Sequence, residues 1–261
     1  MAFGKEGRGF GARKQELNKD VLFGIHPVLE AIRSGREIER ILIQKEGSTS
    51  NLQEILTEAH ARKVPVVKVP QEKLNSVTRK NHQGIIAFIS AIHYSSLDNI
   101  LQTSFQSGKS PFILILDRIT DVRNVGAIAR TAECCGVDAL VIPSRGAAQI
   151  NSDAVKTSAG ALNYLPVCRE ENLKKTIEYL KESGLQIVAC TEKADKNLAD
   201  FDYTGPVALV LGSEEDGISE EYLKKADAVV KIPMLGKVKS LNVSVAAGMI
   251  VYEAIRQREI Q

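Results

Sequence analysis

Ile232-Pro-Met-Leu-Gly-Lys-Val-Lys-Ser-Leu-Asn-Val-Ser-Val-Ala-Ala-Gly-Met-Ile-Val-Tyr-Glu253 is the stretch on which the reading of this chain turns. Val229 to Ile232 is a short apolar run that predicts a buried strand, Pro233 to Lys239 predicts a loop, and Ser240 predicts the N-cap of a helix. Leu241, Val243, Val245, Ala246, Ala247, Met249, Ile250 and Val251 leave that helix little solvent face for more than two turns, so it is expected inside the domain or in an interface. Yet Asn242 and Ser244 fall in its first turns, with Lys237 and Lys239 at its start. Polar groups in such a place need partners, and a helix N-terminus offers unpaired N–H groups to an anion or polar ligand. Taken alone, the stretch reads equally as a capped core helix with stray polar residues and as a site.

Upstream of it, strand and helix patterns alternate. Phe112-Ile-Leu-Ile-Leu-Asp117 reads as a buried parallel strand, followed by a helix from Asn124 or just before it to Cys135 and a strand Ala139 to Ile142. A helix near Ser152, the apolar segment Leu165 to Cys168, a helix Leu173 to Glu182 and a strand Gln186 to Cys190 come next. A strand Val207 to Leu211 and a helix Ser219 to Ala226 complete a parallel α/β domain over residues 110–261. Ligands of open α/β sheets sit beyond the carboxyl ends of strands. Thr191-Glu192, Gly212-Ser-Glu-Glu-Asp-Gly217 and Pro233-Met-Leu-Gly236 each follow a strand there, so the three loops are candidates for the walls of one pocket. Neither G-x-G-x-x-G nor a Walker loop follows any of these strands, which withdraws support from dinucleotide dehydrogenases, P-loop enzymes and the usual Rossmann-type methyltransferases.

Residues 20–92 alternate on a shorter period: helix Pro27 to Arg33, strand Ile38 to Ile43, helix Leu52 to Arg62, strand Val64 to Val69, helix Glu72 to Val77, strand Gly84 to Ile89. This predicts a small α/β sandwich. Residues 93–109 lose the period and read as a linker with one short helix around Leu97 to Phe105, and residues 1–19 as a flexible basic tail. Before the last strand of the sandwich stands Arg79-Lys-Asn-His-Gln-Gly84, which reads as a solvated turn or as an RNA-contacting loop.

The chain has 261 residues, enough for two modest domains, and a net charge of only +2, so nucleic-acid contact has to come from local patches. Its four cysteines form no C-x-x-C pair and its four histidines are scattered, which argues for a reducing, cytoplasmic setting and against a metal site. No apolar run is long enough to cross a bilayer.

Leu116-Asp-Arg-Ile-Thr-Asp-Val-Arg-Asn-Val-Gly-Ala-Ile-Ala-Arg-Thr-Ala132, Leu209-Val-Leu-Gly-Ser-Glu-Glu-Asp-Gly-Ile218 and Ser240-Leu-Asn-Val-Ser-Val-Ala246 occur in that order. Together they resemble the three motifs of the SpoU (TrmH) branch of the SPOUT RNA 2′-O-ribose methyltransferases, across the whole second half of the chain. The first half is similar to the L30e-like substrate-binding domain of members that methylate a guanosine of large-subunit (23S) ribosomal RNA. The resemblance implies a deep trefoil knot in the α/β domain, S-adenosyl-L-methionine as methyl donor, RNA as substrate and a homodimer formed through the knot domain. By that match Gly212, Ile232 and Leu241 contact the cofactor with Thr191, Met234 and Ser240 nearby, and the catalytic set is Arg130, Asn124, Glu214, Ser240 and Asn242. Lys156, before Ser158-Ala-Gly-Ala161, resembles a family segment and reads as an RNA contact or as helix packing. The resemblance also tips Arg79, Lys80, Asn81 and His82 toward RNA. Arg130 is either the general base proposed for the family or, since a guanidinium stays protonated, the group that orients a phosphate and stabilises a developing alkoxide. Glu214 has a blander role open to it, that of serving a helix N-terminus. A tRNA methyltransferase shares the catalytic motifs. A non-catalytic RNA-binding protein predicts loss of Arg130, Asn124 or Ser240-Leu-Asn242, and all are intact.

Overall fold

A computed structural model describes residues 21–45, 50–62, 64–238 and 240–259. The basic tail and Lys239 lie outside them. The first half holds β1 (Val21–Phe23), α1 (Ile25–Arg33), β2 (Ile38–Gln44), α2 (Ser50–Ala61), β3 (Val66–Val69), α3 (Gln71–Val77) and β4 (Ile85–Ile89). Their sheet order is β1-β4-β2-β3, with β4 antiparallel to both neighbours and β3 parallel to β2. Successive strand residues face opposite ways: Ile41, Ile43, Ile85 and Ala87 pack with α1 and α2 on one face, while Leu42 and Ile86 meet Leu74 of α3 on the other. At three residues β1 is too short to show a period in the sequence.

The second half holds α4 (Leu97–Gln106), β5 (Phe112–Asp117), α5 (Val122–Cys134), β6 (Ala139–Pro143), α6 (Ser152–Thr157), β7 (Val167–Glu170), α7 (Leu173–Glu182), β8 (Gln186–Cys190), β9 (Lys196–Asn197), β10 (Val207–Gly212), α8 (Glu220–Leu223), β11 (Ala228–Lys231) and α9 (Val243–Glu259). The strands run β7-β6-β5-β10-β8-β11-β9, every pair parallel. All six residues of β5 are buried, Leu114 and Leu116 in one apolar layer and Ile113 and Ile115 in the other, which is why the strand reads as one apolar run instead of an alternation.

Two helices differ from expectation. α8 is one turn, Glu220–Leu223, because the chain must come back at Asp227 to bond Ile187 of β8. α9 starts at Val243, and Asn242, not Ser240, caps it: the Asn242 carbonyl accepts from the Ala246 N–H at 3.0 Å and its side-chain oxygen from the Ser244 N–H at 2.9 Å. Val243, Ala247, Ile250, Val251 and Ala254 are buried against the domain, whereas Val245, Met249 and Tyr252 are exposed, so the apolar helix has one satisfied face and one open one.

The halves meet in a polar seam. Arg169 Nη1 on β7 donates to the carbonyls of Ile38 and Glu39, both at 3.2 Å, and lies 3.6 Å from the Glu39 carboxylate. Its guanidinium stacks 4.2 Å from the centre of the Tyr94 ring, and the Tyr94 hydroxyl bonds Glu39. Burial raises the Glu39 pKa, outweighing the Tyr94 bond and the Arg169 charge that oppose the rise. The stretch read as a linker is engaged with the second half: the Ser95 N–H donates to the Val167 carbonyl at 2.8 Å, and Leu97 and Leu101 of α4 are buried in the apolar layer over β5 and β6.

Candidate active site

Strands β10, β8 and β11 are adjacent and parallel, so the loops leaving their carboxyl ends emerge side by side. The cleft they wall is lined by Thr191, Gly212, Ile232, Met234, Ser240 and Leu241, all six residues that the sequence suggests for a cofactor. Leu211, Val243 and Ala246 add apolar surface, while Glu192, Glu214 and Asp216 add acid groups. Gly212 is required: a Cβ there would stand 2.1 Å from the Gly217 carbonyl carbon, because the loop Ser213–Gly217 folds straight back over it. That loop is closed on itself by Gly217 N–H to Ser213 O at 3.0 Å and Asp216 N–H to Ser213 Oγ at 3.1 Å. Cys190 also lines the cleft, but burial pushes its thiol up to about 12, so it stands there as a protonated, weakly nucleophilic group.

On the other side of the same loop, three of the suggested catalytic residues meet. Glu214 Oε1 accepts from Asn242 Nδ2 at 2.6 Å, from Asn124 Nδ2 at 3.1 Å and from the Val243 N–H at 3.4 Å. Asn242 Nδ2 also reaches Asn124 Oδ1 at 3.1 Å. Glu214 therefore serves the N-terminus of α9 and at the same time holds two amides from elements far apart in the chain. Asn124 is placed by the first turn of α5, where the Asp121 carboxylate caps the helix through the Arg123 N–H at 2.7 Å. A second cleft runs past this cluster, lined by Arg118, Thr120, Asn124, Gly146, Glu214 and Val243 among others.

Arg130 is not in the cluster. Six residues beyond Asn124 on α5, it points about 120° away around the helix and about 9 Å further along. It is exposed and has no partner among the described residues. Lys156 is exposed on α6, which crosses α5 so closely that a Cβ on Gly126 would lie 2.8 Å from Thr157 Cβ. The segment behind it does pack: Ser158 is fully buried, its hydroxyl donating to the Val155 carbonyl at 2.8 Å.

In the first half Arg79, Lys80 and Asn81 are exposed. His82 requires a correction. It is 7 % exposed, with Nε2 2.9 Å from Asn75 Oδ1 and Nδ1 accepting the Gly84 N–H at 3.1 Å, so both ring nitrogens are spent on the turn. Among the described residues no group of three or more His, Cys, Asp or Glu is placed to hold a metal ion.

Sequence reasoning passed over Asp117 and Arg118. The signal was present as two charges closing an otherwise apolar strand. Asp117 is buried and its Oδ2 accepts from the Ser219 N–H and Oγ, both at 2.7 Å; Arg118 bonds back to it at 3.1 Å through Nε.

Comparison with known proteins accords with this geometry. Residues 111–252 match the SpoU rRNA Methylase family and residues 21–95 the RNA 2′-O ribose methyltransferase substrate binding domain. The chain is similar to the putative TrmH family tRNA/rRNA methyltransferase YacO of Bacillus subtilis, 35 % identical over 239 residues, covering 92 % of this chain and 96 % of that protein. Among solved structures it resembles the SpoU methyltransferase AviRb from Streptomyces viridochromogenes in complex with AdoMet, with 27 % identity and a TM-score of 0.58 over 92 % of this chain and 91 % of that one. It also resembles the A. aeolicus TrmH/SpoU tRNA modifying enzyme, with 32 % identity and a TM-score of 0.53, over 63 % of this chain and 85 % of that one.

Proposed function

The chain belongs to the SpoU family of RNA 2′-O-ribose methyltransferases, and from that premise we propose that it methylates a guanosine of large-subunit (23S) ribosomal RNA. The observation that carries the substrate class is the first half: residues 21–95 match a substrate-binding domain and are bonded to the catalytic sheet. The likeness to the tRNA modifying enzyme, by contrast, extends over only 63 % of the chain. Mapping 2′-O-methyl sites in ribosomal and transfer RNA from cells with and without the protein tests this. A lost site in the large-subunit RNA is expected, and a lost site confined to tRNA overturns it.

The cleft fits S-adenosylmethionine. Apolar Leu211, Ile232 and Leu241 suit its adenine, the cradle at Gly212 admits close backbone approach, and Glu192 complements its positive charge. When bound, the cofactor supplies an electrophilic methyl group. The residues around it place the acceptor ribose: Asn124 and Glu214 line the cleft through which the target nucleotide approaches, and Asn242 holds both in place through its amide. Positioning of this kind supplies much of the rate. Arg130, free of any partner among the described residues, is assigned to the substrate phosphate and the developing alkoxide.

A trefoil knot is supported by the threading: β10 is laid between β5 and β8, and α9 returns to pack on α5. Dimerisation through this region is supported by exposed apolar side chains in the loop before α9 and on its outer face, Leu235, Val238, Leu241, Val245, Met249 and Tyr252, between 39 % and 102 % exposed. Met249→Asp places a charge on that face, where a second copy of the chain has no partner for it. Sedimentation is expected to give a dimer for the wild type and a monomer for the variant. A monomeric wild type overturns the assignment. Four unpaired cysteines accord with action in the cytoplasm.

A further inference from the structure

Arg118 occupies a backbone conformation that side chains avoid, with φ +56° directly after β5. An arginine kept where glycine fits more easily needs a reason in its side chain. The guanidinium supplies one. Nη1 lies 3.0 Å from Asp216 Oδ2, Nη2 donates to the Gly217 carbonyl at 3.3 Å, and Nε donates to Asp117 Oδ1 at 3.1 Å. One planar fork thus ties the end of β5 to two successive residues of the loop Ser213–Gly217. Asp117, 1 % exposed, holds the far end of the same segment through Ser219. The loop so gripped folds back over Gly212, forms one wall of the cofactor cleft and carries Glu214 into the Asn124–Asn242 cluster. β5 and β10 are neighbours at the point where the connectivity of the sheet reverses, the place where open α/β sheets take their ligands.

We propose that Arg118 is a positioning residue of this enzyme, its fork on Asp216 and Gly217 holding the Ser213–Gly217 loop in the conformation that closes the cofactor cleft. The inference rests on S-adenosylmethionine binding in that cleft. Removing the clamp leaves the chemistry of Asn124, Asn242 and Arg130 in place but lets the wall move, so the loss falls first on cofactor affinity and on the KM for cofactor. Turnover at saturating cofactor changes less.

The positive φ makes a clean test available, because glycine adopts that conformation without strain. In the full-length protein, Arg118→Gly is expected to weaken S-adenosylmethionine binding in calorimetry by about tenfold, with a melting temperature no lower than that of the wild type. Arg118→Lys, which keeps the charge but not the fork, is expected to fall between the two. Asp216→Asn is expected to reproduce part of the loss and to add nothing in the Arg118→Gly background, since both remove one contact. Wild-type affinity in Arg118→Gly overturns the proposal, as does a loss accompanied by a lowered melting temperature, which would make the residue merely structural. Losses that add in the double variant do the same. Failure of the wild-type protein itself to bind S-adenosylmethionine strikes the reading of the cleft, not the clamp.

Discussion

The loop Ser213–Gly217 has two sides, and they are built on different principles. Toward Gly212 the chain is packed backbone on backbone, leaving no room even for a methyl group, and Leu211, Ile232 and Leu241 give the cleft there its apolar surface. Toward Asn124 and Asn242 it is polar and held by amides on one carboxylate, with Arg130 standing apart and unpaired among the described residues. The difference teaches which partner each side awaits. A small ligand of fixed shape is met by a preformed cavity, whereas a large anionic one is met by groups that finish their geometry only when it arrives.

The contrast can be broken at each side. The largest effect is expected from Gly212→Ala, whose new carbon would stand 2.1 Å from backbone that cannot yield without moving the loop; calorimetry should find no S-adenosylmethionine binding, and retained binding would show that the donor side is not preformed. Next comes Arg130→Ala. It is expected to leave cofactor affinity nearly intact and to lower single-turnover methylation, at saturating RNA and cofactor, by about a hundredfold or more. Partial rescue by Arg130→Lys favours charge stabilisation, and no rescue favours bidentate orientation or base chemistry. Unchanged single-turnover rates in the alanine variant would take Arg130 out of the mechanism. The smallest effect belongs to Glu214→Ala, which deprives two amides of their shared acceptor. A loss of about tenfold in turnover with little change in cofactor affinity is expected, and the reverse pattern would assign Glu214 to the donor side instead.

How much of this was legible in the sequence follows from what local pattern encodes. The alternation of strand and helix patterns and the apolar run Phe112–Leu116 revealed the two sheets, and glycines placed after strands revealed the cleft. The start of α9 was misplaced by two residues because Ser240 and Asn242 are both good caps, and only the hydrogen bond to Ser244 chooses between them. His82 looked like a free polar group in a polar loop because its partners, Asn75 and Gly84, are set by the path of the turn. Arg118 was hidden for a related reason: its partners lie 98 and 99 residues away, and no local period reports on contacts of that range.

The seam between the halves has one more consequence, for how such a protein could be recombined. Arg169 and Glu39 are only 10 % and 11 % exposed at their side chains, and each is satisfied by groups from the opposite half. Exchange of the first half for that of a relative lacking a counterpart to Glu39 would leave a buried guanidinium without its carboxylate, at a cost of about 3–5 kcal/mol for a broken buried pair. The two halves are therefore not interchangeable parts: a viable chimera has to carry Tyr94, Glu39 and Arg169 together, with the crossover placed to respect that trio and not the apparent gap in the hydrophobic pattern.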